Sequence, residues 1–144
     1  MLRKSYIPIV GEGKARWNNV HIEDLSDVYR LLVNAAVEGR SELEIWGAKG
    51  YVFTENGEHV WGDLAMASGK RAESLGYVKE GVKEYLLGKD EALEVAGFEA
   101  VSWGLNSRGK AERAREVLGR RPFKASIEEH VEEILEDERK RLRE

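Results

Sequence analysis

The sequence predicts a mixed α/β fold rich in helix, and three observations predict it. Short apolar, β-prone runs at residues 5–10, 14–22 and 50–54 alternate with longer stretches of helical period at 25–36 and 60–75. The run of four β-formers after Gly50 leads through a turn into one of those helical stretches, the strand-turn-helix grammar of a parallel sheet. A hydrophobic fraction of 42% beside 35% charged residues suits a single globular domain, and 144 residues suffice to bury roughly two-thirds of the unfolded surface.

Taken in order, Ser5 to Val10 is apolar and β-prone, but Pro8 has no N–H for a ladder and sends the strand to an edge. Gly11-Glu12-Gly13 ends it. With no third glycine and no helix directly after, this pair reads as a turn rather than a phosphate-binding loop. Lys14 to Ile22 is a second extended run. Leu25, Val28, Tyr29, Leu32 and Ala36 then fall on one helical stripe, which Leu31, Val33 and Ala35 widen, so the helix is expected to be buried on more than one side. Glu23, Asp24 and Asp27 suit its positive N-terminal end, and Gly39 suits its stop.

Ser41 to Trp46 reads as a short strand, and Gly50 to Thr54 as a core strand covered on both faces. Val60, Leu64, Ala67, Ala72 and Leu75 share a helical face that Gly76 closes. A short amphipathic helix is predicted from Val78 to Leu87, and another from Asp90 to Val95 before Gly97. Asn106-Ser107 offers a cap for a helix through Arg115 and Leu118, with Gly119 and Pro122 beyond it. Ser126 with Glu129 makes a capping box for a last helix. Ile127, Val131, Ile134 and Leu135 form its apolar face, and Arg139, Lys140, Arg141 and Arg143 sit where the dipole favours cations.

Composition narrows the function classes. A net charge of -4 with interleaved signs leaves no basic face, so neither nucleic acid nor a charged membrane surface is an expected partner. Zero cysteines exclude disulfides and thiolate chemistry and agree with a reducing compartment. No secretion-signal order is present and no apolar run nears the roughly 18 residues of a membrane span, so a cytoplasmic protein is expected. His21, His59 and His130 lack metal-ligand spacing, and no metal site is expected.

A more specific expectation comes from three stretches in a fixed order. Trp17-Asn18-Asn19-Val20-His21-Ile22-Glu23-Asp24-Leu25 reads W-N-x-V-H-I-x-D-L ahead of a helix. Gly50-Tyr51-Val52-Phe53, Asn56-Gly57-Glu58 and Val60-Trp61-Gly62-Asp63-Leu64-Ala65 read as strand, turn and a W-x-x-L-A helix. Asn106-Ser107-Arg108, Ala111 to Arg115, Leu118-Gly119 and Pro122 follow, with Arg120 or Arg121 where an aromatic is common. Together they resemble the C-terminal half of extended short-chain dehydrogenase/reductases, the NAD-dependent epimerase/dehydratase family.

The resemblance implies the α-rich C-terminal part of a doubly wound, Rossmann-like sheet with its substrate-side subdomain, over residues 1–144 as one domain. The family's glycine-rich dinucleotide motif, its catalytic Ser/Thr and its Tyr-x-x-x-Lys pair lie upstream of the matched region. The chain alone is therefore expected to be inactive and to bind no cofactor, with NAD(P) belonging to the full-length family. It would be a processed or truncated enzyme, a fragment or a standalone relic, associated with an N-terminal half or with copies of itself. The alternative is a non-enzymatic, oligomerising interaction module derived from the fold. The kinship requires the helix over 20–37 to dock on a sheet containing Tyr51 to Phe53.

Few residues stand out as site candidates. Tyr85-Leu86-Leu87-Gly88-Lys89 fits Tyr-x-x-x-Lys, which on a helix sets an ammonium beside a phenol for proton transfer; a solvated helix face is the other reading. His21, where a strand hands over to a helix, either holds the turn by a local hydrogen bond or, with Trp17, supports the wall of a small-molecule substrate cleft, as the resemblance implies. Arg108 is either a surface arginine on a capped helix or, as in extended family members, a holder of an anionic substrate group. Trp46, Trp61 and Trp103 pack in the core or line an apolar pocket.

Overall fold

The computed structural model describes residues 2, 6–41 and 45–143. In chain order the elements are β1 (Tyr6–Val10), β2 (Arg16–Asn18), α1 (Ile22–Val37), β3 (Glu58–Val60), α2 (Trp61–Ser74), β4 (Lys83–Leu87), α3 (Lys89–Ser102), α4 (Glu112–Glu116) and α5 (Val131–Arg141), with a 3-10 turn at Gly47–Lys49. The fold is mixed α/β. Among the described residues there are two two-stranded sheets, β1 with β4 and β2 with β3. The chain divides into two compact units, the first comprising Met1–Trp17, His59–Ser107 and Ile127–Glu144 and the second Asn18–Glu58 and Arg108–Ser126.

In the first unit β1 and β4 run parallel, in register from Tyr6 opposite Lys83 to Val10 opposite Leu87. Alternation along β1 buries Ile7 and Ile9, as the two-residue period of a strand demands. Helices α2 and α3 pack on β1, and α5 packs on α2. Alanines at the tightest points, Ala72, Ala92 and Ala100, let these backbones approach. One cluster joins Leu87, Ala92 and Ala100 with Val10, Val95, Val101 and Trp103. Another joins Ala72, Val131 and Leu135 with Leu64, Tyr77 and Val78, and an Arg71–Glu132 ion pair links α2 to α5.

Three predicted helices differ here. The segment 78–87 contains strand β4 instead of a helix. Gly76 and Gly81, with φ of 66° and 77°, interrupt the helical path and leave too few residues between them to nucleate a helix, while β1 offers 83–87 a ladder. Helix α3 extends beyond Val95 to Ser102, but it breaks at Gly97, whose φ of 72° and ψ of -158° suit only glycine. Helix α5 begins at Val131, after turns over 127–130, rather than directly at Ser126.

In the second unit α1 runs from Ile22 to Val37, and Gly39 at φ 69° follows its end as predicted. Its core is Val28 and Ala35 against Ile45 and Leu118, with Leu31, Leu32, Trp46, Val52 and Val117 alongside. The core strand expected at 50–54 is absent: these residues have no ladder, and Tyr51 and Phe53 are 64% and 54% exposed. Arg113 explains the loss, because its Nη1 donates to the Lys49 and Tyr51 carbonyls at 2.5 and 3.2 Å and takes acceptors that a neighbouring strand would use. Helix α1 thus packs on Val52 but not on a sheet. The strand expected at 41–46 lies largely outside the described residues, and Ile45 and Trp46 are in a turn and a bend. Helix α4 spans Glu112–Glu116 only, because Asn106 is engaged elsewhere: its Oδ1 accepts the Arg16 amide at 2.9 Å.

Candidate functional site

The first unit contains an apolar cleft of about 290 Å³ lined by Ile7, Pro8, Ile9 and Val10 of β1, Trp61, Leu64, Ala65 and Ser68 of α2, and Trp103. Positions 61, 64, 65 and 68 recur at helical spacing, so one face of α2 forms a wall. Four consecutive residues of β1 take part, as happens when a cleft runs along a strand's edge rather than over one face. That edge has no partner strand among the described residues.

The tryptophans are held as a group. Trp61 stacks on Trp103 with centroids 5.3 Å apart and planes at 28°, while Trp17 and His59 meet Trp61 edge-on at 5.4 and 4.7 Å. Trp17 is fixed in turn by donating its Nε1 hydrogen to the Leu105 carbonyl at 2.8 Å. The Trp61 indole nitrogen is buried and has no hydrogen-bond partner among the described residues, so its ring is held by packing while its backbone amide donates to Ala15 O at 3.0 Å. Trp17 therefore packs against a residue of the cleft wall without lining the cleft itself.

The glycine pair after β1 is explained by packing. Gly62 donates its amide to the Gly13 carbonyl at 2.8 Å, and a Cβ on Gly62 would lie 2.7 Å from that oxygen. Gly13 itself has φ of 70° and donates to Val10 O at 3.1 Å, while Gly11 donates to Leu87 O at 2.9 Å. These amides are committed to the fold. The next strand-to-helix junction is no better for a phosphate: the Gly88 amide donates to Glu91, and Asp90 and Glu91 occupy the first turn of α3. At both junctions the glycine amides are taken up within the fold.

Tyr85 and Lys89 are not one helical turn apart. Tyr85 lies in β4, and Lys89 is the first residue of α3. The Tyr85 hydroxyl donates to Glu91 Oε1 at 2.9 Å, and that bond, aided by the carboxylate's charge, raises the phenol above its ordinary pKa. An ammonium neighbour would lower it.

His21 and Arg108 belong to the second unit. His21 is the N-cap of α1, its Nδ1 accepting the Glu23 amide at 3.1 Å, which requires that nitrogen to be unprotonated. The locally bonded, turn-holding reading describes it. Arg108 precedes α4 rather than capping it, and its Nε donates to Glu58 at 2.5 Å.

Two residues the sequence did not single out organise this unit. Glu55 accepts the Ala111 amide at 2.7 Å, the Gly57 amide at 3.3 Å and Arg115 at 2.9 Å. Burial works to raise its carboxyl, but Arg115 and the two amides outweigh it and hold the group below its ordinary pKa. Arg120 is 1% exposed. Its Nη1 donates to the Glu55 carbonyl at 2.7 Å, while Nε and Nη2 have no acceptor among the described residues. Burial lowers its pKa against the pull of Asp24, itself 1% exposed and accepting the Phe123 amide at 2.9 Å. An arginine at 120 or 121, where the resemblance drawn from the sequence implies an aromatic, was the available signal for this buried cation.

Among the described residues no helix is long and apolar enough to cross a membrane, and no cluster of His, Asp or Glu could hold a metal ion. No protein-family model and no solved structure matches the chain. Over 139 residues, 92% of its length, the chain is 36% identical to the curated protein named Oxidase ucsJ from Acremonium sp. It spans 40% of that relative's length.

Proposed function

We propose that the chain is the C-terminal, substrate-binding portion of an NAD(P)-dependent epimerase, dehydratase or reductase-like protein of the extended short-chain dehydrogenase/reductase type. Hydride chemistry would reside in residues beyond it. The observation that carries this reading is the second apolar face of α1. Ile22, Tyr29, Val33 and Val37 follow helical spacing and are 68, 65, 61 and 83% exposed, while Asp24, Val28 and Ala35 on another stripe are buried. Tyr51 and Phe53 add exposed rings with the alternation of a strand that has one face open. An exposed apolar surface with such regular periods has the character of an interface.

Among the described residues no sheet forms around Tyr51 to Phe53, so the docking that the kinship calls for is not met, and the reading rests on the three ordered motifs and on this exposed face. The relative's name, an oxidase, and its greater length support the same reading. Because the glycine turns are internally committed, NAD(P) would be held elsewhere, and the tryptophan cleft is the seat this chain offers a small-molecule substrate. On this reading the protein works in the cytoplasm.

The test is to mix the chain with the portion of Oxidase ucsJ that it does not match and follow association by light scattering and NAD(P) binding by calorimetry. Association that Val33→Glu abolishes, with NAD(P) bound only by the mixture, is the expected result. Tight NAD(P) binding by the chain alone would reject the proposal. The same exposed α1 face supports a second reading, an oligomerising module: a stable dimer that ignores the oxidase's unmatched portion and is lost with Val33→Glu would select it.

A further inference from the structure

We propose that the cleft of the first unit takes a flat, uncharged, largely apolar ring, the group by which the substrate is gripped; only the word substrate rests on the reading above. The lining carries the argument. Among the nine described residues that line it, Ser68 has the single polar side chain apart from the tryptophan N–H groups, and none is charged, so an anionic group would meet no counter-charge among them. A cleft of about 290 Å³ lies at the small end of ligand sites and suits a bicyclic ring of about ten heavy atoms.

The aromatic wall is built in advance. Trp61 is braced by Trp17 and His59 edge-on and by Trp103 face to face, and both Trp61 and Trp103 line the cleft, so this wall is held in place without ordering a mobile side chain on binding. An added peptide strand is the competing occupant of a free strand edge. Pro8 argues against it, because a proline within a paired strand turns its donor-less nitrogen to the unpaired side, and a ladder there would lack a bond at its centre. The chemistry selects stacking on tryptophan and apolar contact with Pro8, Leu64 and Ala65, with the Ser68 hydroxyl for one polar substituent.

The test uses the four indole N–H signals of the 15N-labelled chain, assigned by single Trp→Phe variants and titrated with 2-naphthol, a flat neutral probe. Saturable shifts at Trp61 and Trp103 are expected, with Trp46 in the second unit unmoved and a dissociation constant in the sub-millimolar to millimolar range usual for so few atoms. Ala65→Phe and, separately, Ser68→Phe fill the cleft and should each weaken binding at least about tenfold; retained dispersion of the backbone amide signals of β4 and α5, elements of the same unit away from the cleft lining, shows that the first unit still folds. No saturable shift, shifts that survive both fillings, or equal binding of the charged 2-naphthoate overturns the proposal. Failure of the chain to associate with the oxidase's unmatched portion leaves this titration unaffected and removes only the word substrate.

Discussion

The two units solve the same problem, satisfying backbone groups around a small core, by different means. In the first, β1 and β4 exchange ladder bonds and the helices close over them with alanines and tryptophans. In the second, the segments around 45–57 and 108–126 have almost no ladder, and side chains replace it. Arg40 donates to Val117 O at 2.7 Å, Arg113 to Lys49 O and Tyr51 O, and Arg120 to Glu55 O. Asp24 and Glu55 receive amides in return. A ladder is set by backbone alone and tolerates many side chains, whereas a carbonyl capped by guanidinium depends on that one residue. The first unit should therefore be most sensitive at its glycines and the second at its charges.

The largest effect is expected from Gly62→Ala. Its Cβ would meet Gly13 backbone atoms at 2.7 and 3.0 Å, and neither can move without breaking the β1 turn. A loss of about 3 kcal/mol or more in urea unfolding is predicted. Gly57→Ala is the contrast, since its Cβ meets only the Asn19 side chain at 3.6 Å and the cost is backbone strain of about 1 kcal/mol at φ 106°. Equal costs at the two sites would remove the distinction.

Next is Arg120→Met, predicted to cost about 3 kcal/mol because it leaves the Asp24 carboxylate buried without its nearby cation. The double variant Asp24→Asn with Arg120→Met should recover much of this, a coupling of about 2 kcal/mol in a double-mutant cycle. Additive costs would show that the two charges act independently.

Glu55→Gln is expected to cost about 2 kcal/mol at neutral pH through its charge-assisted bonds to Ala111 and Arg115. Its folded pKa is depressed, so the stabilisation is fully present above the ordinary carboxylate pKa and is lost as pH falls through the folded value. The gap between wild type and variant in denaturant melts should accordingly be constant above about pH 5 and narrow below it. A gap that widens in acid would reverse the assignment. Val33→Glu comes last, with stability within about 0.5 kcal/mol of wild type because the side chain is already exposed, even where association is lost.

Several elements were legible from local chemistry. Helix α1 with Gly39 beyond it, α2 with Gly76 beyond it, and the strand before Gly11 follow from period and from glycines that take positive φ. Trp17, Trp61 and Trp103 could be read as wall or core, but their assembly joins residues about ninety positions apart, which no local pattern encodes. Residues 50–54 carry as strong a β-pattern as any in the chain and make no strand. Residues 83–87 looked helical and make one.

The amino-acid order by itself determined the mixed α/β class, the main helices and the places where the chain must turn, because periodicity, proline and glycine act within a few residues. Only the tertiary structure decided which β-prone runs become strands, because a strand exists only where another backbone supplies its hydrogen bonds. It likewise decided that Arg120 is buried and that Tyr85 faces a carboxylate, since distant segments determine both environments.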